Sequence, residues 1–144
     1  MKMKSFLSIL CLAVALAGCE MVPVSDAGFA KYVFTNMAKG RQGIEKYIDW
    51  QSFQAVGVDV GATYSKFSEK ERPGYRKAFL QNFSFSFRTA GGKLNYFHNW
   101  RVYSQDSHKV TVAVDTKNLT LLLSLSQGSR AKRKLISMEW LKKE

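Results

Sequence analysis

The chain has little of what metal-dependent and disulfide-stapled domains need. Cysteine occurs twice in 144 residues, at Cys11 and Cys19, and histidine twice, at His98 and His108. Two histidines without an acidic partner at ligand spacing fall short of the His/Asp/Glu/Cys cluster that holds a hydrolytic metal. Nucleotide-loop chemistry is also missing. "GVDVGATY" lacks the Lys-Ser/Thr ending of a phosphate-cradling loop, and no nucleophile elbow is present. Asp59 and His98 are the right residue types for an acid–base pair, but no spacing or motif joins them. Acidic residues number 11 against 22 Lys plus Arg, a formal charge of +11. The apolar run from Phe6 to Leu16 is about half the ~20 residues that a membrane-spanning helix requires.

What surrounds that run gives it another meaning. Lys2 and Lys4 precede it and the small residues Ala17 and Gly18 follow it, the three-part pattern of a secretory signal peptide. "LAGC", residues 16–19, resembles the lipobox of bacterial lipoproteins. The resemblance implies a diacylglyceryl thioether on Cys19, cleavage before it, and acylation of the new amino terminus. Each buried methylene contributes about 0.8 kcal/mol, so several chains hold where one is marginal. Glu20 stands where lipoproteins retained in the inner membrane carry Asp, which implies the periplasmic face of the outer membrane. The expected organisation is a signal peptide over 1–18, a lipidated tether over 19–25 and one domain over 26–144.

Removal of residues 1–18 takes Cys11 with it and leaves 126 residues with one lipidated cysteine. A disulfide, a thiolate metal site and a thiol nucleophile are thereby excluded. Stability then depends on the core, for which 46% hydrophobic and 13% aromatic residues supply the material. A chain of this size buries roughly two-thirds of its unfolded surface, enough for one domain. The remaining charge of about +9 would suggest nucleic acid, but export redirects it to phospholipid head groups, lipopolysaccharide or cell-wall polymers. Near such surfaces each basic residue contributes about 1 kcal/mol.

Periodicity divides the domain in two. Ser25 is placed as an N-cap for a helix with Phe29, Tyr32, Val33 and Met37 at helical spacing, and Gly40 is placed to stop it. "RQGIEKYIDWQSF" repeats the helical pattern, and Gly57 and Gly61 suggest a break before a short helical turn. Ser68 and Glu71 stand in capping-box spacing. Beyond them Tyr75, Phe79, Phe83 and Phe87 recur every four residues, so "FSFSF" reads as the end of a helix that Gly91 and Gly92 close. After Gly92 the period becomes two: "KLNYFHNWRVY", "KVTVAVD", "LTLLLSLS" and "KRKLISMEWL" read as strands joined by polar turns. The fold expected is α+β: N-terminal helices packed on a curved, cone-like antiparallel sheet of about four strands.

The aromatic helix facing an apolar sheet either fills the core or leaves room for an acyl chain. The string "YSKFSEKERPGYRKAFLQNFSFSF", Tyr64 to Phe87, resembles the central helices of the toluene-tolerance family, periplasmic phospholipid carriers of the Mla lipid-transport system. Arg72, Tyr75, Phe79 and Phe83 occupy its helix pattern, and Trp100-Arg101-Val102 opens the sheet in a similar way. As a pattern the resemblance spans roughly residues 44–140. It implies a cone fold related to nuclear transport factors, with lipid tails between helices and sheet.

The expectation is therefore a non-enzymatic lipoprotein without cofactor or metal that binds a phospholipid or other acyl ligand. Phe79, Phe83, Tyr96 and Trp100 would line its pocket. The alternative is a structural or adaptor lipoprotein that holds an envelope protein complex at the membrane; an acid–base enzyme ranks third. The membrane is a partner in each case, and nucleic acid in none.

Overall fold

The computed structural model describes residues 21–128 and 132–142, so the lipobox and Cys19 lie outside the described residues. Three helices and six strands form an α+β unit with an open, mixed sheet. Helix α1 (Asp26–Ala38) begins where expected: the Ser25 hydroxyl accepts the Gly28 amide hydrogen at 3.1 Å. It buries Phe29, Val33, Phe34 and Met37. Helix α3 (Arg72–Thr89) runs through "FSFSF" and buries Leu80 and Ser84 completely, with Tyr75, Phe79, Phe83 and Phe87 partly covered on the same side. Ser68 and Glu71 join through their side chains at 2.7 Å just before it.

The two helices meet at a polar joint. Buried Ser84 donates its hydroxyl to the Ala38 carbonyl at 2.8 Å, which satisfies one of the acceptors left over at the end of α1. Gly40, at φ +65°, turns the chain there, with the Ser84 Cβ about 3.0 Å from where its own would stand. A short helix, α2 (Val60–Ser65), is capped by Asp59, which accepts from the Ala62 amide at 3.0 Å.

The sheet comprises β1 (Gln54–Ala55), β2 (Val58–Asp59), β3 (His98–Gln105), β4 (Lys109–Asp115), β5 (Thr120–Ser126) and β6 (Leu135–Trp140), in the order β2-β1-β6-β5-β4-β3. Val110, Val112, Val114, Leu121, Leu123, Leu125 and Met138 are all buried against the helices. Each such side chain contributes about 1.5–3 kcal/mol when fully withdrawn from water.

Four expectations need correction. The sheet has six strands rather than about four, because β1 and β2 are two residues long and show no alternation. It is mixed rather than antiparallel, since β1 runs parallel to β6. The segment read as a second long helix is one 3-10 turn, Ile44–Tyr47. Beyond it Ile48 bridges Leu135, and Asp49 donates to the Leu135 carbonyl at 2.9 Å, so pairing with the sheet overrides the helical pattern. The strand expected from Leu94 starts at His98; Leu94–Tyr96 is another 3-10 turn.

Helix α2 leaves no room at one position. The Gly61 amide donates to the Phe53 carbonyl at 3.0 Å, and a Cβ on Gly61 would collide with the Gln51 carbonyl oxygen. That clash is with backbone and cannot be relieved by a rotamer. Gly61→Ala is expected to lower unfolding stability by about 1–3 kcal/mol, measured by urea denaturation, whereas Gly74→Ala, with open space around its Cβ position, should not.

Candidate functional site

The helix layer does not seal the sheet along its whole length. At the end where β5 begins and β6 finishes, two apolar clefts open side by side. One, of about 360 Å³, lies between Phe83, Ser86, Phe87 and Ala90 of α3 and Leu121, Met138 and Trp140 of the sheet; Phe34 and Phe97 complete its wall, and Val56 its rim. The other, of about 580 Å³, runs from Phe87, Ala90 and Phe97 past Tyr96 to the β4–β5 turn at Lys117, Asn118 and Leu119. Phe87, Ala90 and Phe97 line both, so the two clefts adjoin along one wall and together make up the groove region at this end of the sheet. Volumes of this order hold small apolar ligands.

Phe34 fixes the wall of the groove. It is 3% exposed, and its ring lies 4.8 Å from Phe97, 5.9 Å from Trp100, 6.0 Å from Phe87 and 6.4 Å from Phe83. Such pairs contribute about 0.5–1.5 kcal/mol each beyond area burial. Helix α3, the 94–97 turn and β3 are thus all positioned against one side chain of α1.

Of the four residues expected to line a pocket, the structure divides the set. Phe83 lines the smaller cleft and half-exposed Tyr96 the larger. Phe79 sits one turn earlier on α3, where Trp50 (5.4 Å) and Phe53 (5.8 Å) fill the space beneath it. Trp100 packs on Phe34 from β3 and lines neither of the two clefts. Sequence reasoning passed over Phe34, Phe97, Val56, Trp140 and Lys117. The run Tyr32-Val33-Phe34 was a usable signal, because three consecutive apolar residues on a helix require burial over a broad arc. Asp59 and His98 stand on β2 and β3, the two opposite edges of the sheet, and do not converge. Among the described residues no three His, Cys, Asp or Glu side chains group as a metal site.

Polar contacts concentrate at one end of the groove. Asp115 accepts from the Asn99 amide and Arg101 guanidinium, each at 2.9 Å, and from the Thr120 hydroxyl at 2.9 Å. The network holds Asn99 at φ +60° beside the bulge that opens β3. Those bonds, from Asn99 first, then Arg101 and Thr120, lower the Asp115 pKa to about 2. Lys117 borders the larger cleft, and the Lys93 ammonium lies 5.8 Å over the Tyr96 ring that also borders it.

No family model, curated protein or solved structure matches the chain. The groove is therefore read from its own geometry.

Two predictions follow from that geometry. Asp115 is more acidic folded than unfolded, so its bonds stabilise the protein above about pH 4 and are lost as pH falls toward 2. Asp115→Asn should flatten the acid limb of a stability–pH curve between those values. Val56 and Gly57, at φ +47° and +84°, form the two-residue turn between β1 and β2. A β-branched residue is strained there by about 1–3 kcal/mol, whereas Asn-Gly suits such a turn. Val56→Asn is expected to raise the melting temperature, measured by thermal unfolding.

Proposed function

We propose that the protein binds an acyl-chain ligand, such as a phospholipid or fatty acid, in the groove between α3 and the sheet. The observation that carries this reading is the pair of adjoining apolar clefts, one walled by Phe83, Phe87, Phe97, Leu121, Met138 and Trp140, the other bordered by Lys117 and by Tyr96, over whose ring the Lys93 ammonium lies. Apolar walls take the chain and the cations meet an anionic head group. Binding of this kind needs no covalent step, so the protein acts as a carrier or receptor and not as an enzyme.

The bulges in β3–β4 and β5–β6 suit a sheet that curls around its ligand, as in the cone of the phospholipid carriers that the α3 sequence resembles. With the lipobox at Cys19, the same reading makes the protein an outer-membrane lipoprotein that faces the periplasm and takes part in envelope lipid transport or maintenance. A second reading has its own observation. Val56, Val58 and Trp140 expose 44%, 59% and 37% of their surface, an apolar group that also suits an adaptor docking onto an envelope protein.

Native mass spectrometry of protein purified from cells should show a bound lipid. Phe87→Glu should weaken binding of a fluorescent fatty acid at least about tenfold, a loss of about 1.4 kcal/mol. Ala90→Trp, which fills the groove from an exposed position, should do the same without disturbing the core. Lys117→Glu should cost less, and its effect should shrink at high salt. A protein that carries no lipid and ignores the probe overturns this reading; stoichiometric recovery of one protein through the Val56–Trp140 surface would establish the adaptor instead.

A further inference from the structure

The far end of the sheet carries a separate device. Arg133 is only 8% exposed, and its guanidinium grips one short segment. Nη1 donates to the Val24 carbonyl at 3.1 Å and the Asp26 carboxylate at 2.9 Å, and Nη2 to the Pro23 carbonyl at 3.1 Å. The same group lies 4.3 Å over the Phe29 ring. A guanidinium withdrawn from water is costly unless paired and hydrogen-bonded. Both Nη atoms are bonded while the buried Nε is not, and these bonds, with the Ser25 cap, hold the path of Pro23–Asp26 into the domain.

Cations surround that entry point. Lys109 opposes Ser126 across β4 and β5, and the Ser126 amide donates to the Lys134 carbonyl at 2.8 Å. Lys109, Lys132 and Lys134 are all exposed. Among the described residues two carboxylates stand near them: Asp26, paired with Arg133, and Asp106, which accepts from the amides of His108 (2.7 Å) and Lys109 (2.9 Å) and keeps its charge beside Lys109. Two apolar side chains project from the entering segment itself, Met21 at 88% and Val24 at 59% exposure. Exposed apolar groups on the same pole as exposed lysines match the layers of an anionic lipid surface, acyl boundary and head groups.

We propose that this pole docks on an anionic bilayer, with Lys109, Lys132 and Lys134 on the head groups around Met21 and Val24. The orientation rests on the lipidated reading of Cys19. Cys19 stands two positions before Met21, and each residue spans at most about 3.5 Å, so the anchor holds this pole against its own membrane. Strand β5 runs from Ser126 at this pole to Thr120 beside the groove, about 20 Å away. The groove therefore faces away from the anchoring bilayer and takes its ligand from the aqueous side, not directly from the membrane beneath it.

The test uses processed protein purified from cell membranes and reconstituted in phosphatidylglycerol vesicles that contain a lipid-bound energy-transfer acceptor. A donor dye on Ser107→Cys, in the turn at the docking pole, is compared with one on Lys117→Cys at the groove. The Ser107 position should be quenched at least about twofold more strongly, given the ~20 Å separation of the poles. Lys109→Glu/Lys132→Glu/Lys134→Glu should narrow that difference, because the anchor remains while the lysine contacts with the head groups are lost. Equal quenching in the wild type, or stronger quenching at Lys117, overturns the proposal. Mass spectrometry separates the two readings. If Cys19 carries no lipid, the anchored orientation fails, and the same protein floated with phosphatidylglycerol and phosphatidylcholine vesicles decides the docking surface alone. Binding to the anionic vesicles only, lost in the triple variant, supports that surface, and absence of binding overturns it.

Discussion

The ring of Phe34 is the contact on which the arrangement of layers depends. It is the point where α1 touches α3, the 94–97 turn and β3 at once, through Phe83, Phe87, Phe97 and Trp100. Removing a buried phenylalanine costs about 3–5 kcal/mol, a large share of the 5–15 kcal/mol by which a domain is stable. The consequence is as much geometric as energetic. Phe34 meets the C-terminal half of α3 through Phe83 and Phe87, and β3 and the turn before it through Trp100 and Phe97. On one side of it the core is filled by Val33, Met37, Leu80 and the sheet valines and leucines. On the other side the space is the groove. A tightly packed core and an apolar cleft coexist because one side chain marks the boundary between them.

That boundary explains why one four-residue aromatic strip on α3 performs two tasks. Tyr75 and Phe79 face the loop that carries Trp50 and Phe53, whose rings pack against them at 6.4 Å or less. Phe83 and Phe87 face Phe34 and open space. Residue type and spacing are the same along the strip. What differs is the element opposite, and that is a property of the fold.

The legible parts of the sequence were those where one physical signal acted alone. Ser25 as cap, the α3 period and the strands β4, β5 and β6 each answered to local geometry, and the structure contains all of them, although β6 buries Leu135 and Met138 rather than Ile136, Met138 and Trp140 together. Failures came where tertiary pairing competed with a local pattern. Ile44 to Phe53 has helical spacing, but Ile48 and Asp49 gain sheet partners at Leu135 and leave the helix after one turn. Leu94 and Tyr96 alternate like a strand, but the Tyr96 and Phe97 amides donate to the Lys93 and Leu94 carbonyls, so a 3-10 turn stands there and the strand begins at His98. β1 and β2 are too short to carry a period. The candidate site was half legible for the same reason: Phe83 and Tyr96 border the groove, while the depth of Phe79 is set by Trp50, about thirty positions away in sequence.

Arg133 shows most clearly what pattern reading misses. In Lys132-Arg133-Lys134 three cations stand in a row, and composition alone assigns all three to solvent. The strand that follows decides otherwise: Leu135 faces the core, and Arg133, two positions before it, turns to the same side, onto Phe29 and the carbonyls of Pro23 and Val24. Its neighbours stay outside. One tripeptide thus supplies both the internal clamp on the entering chain and two of the external charges beside it. The sheet then carries that asymmetry along its strands, with the cationic pole at one end and the apolar groove at the other. On the anchoring we propose, the first end is the one held at the membrane and the second is the one presented to the aqueous side.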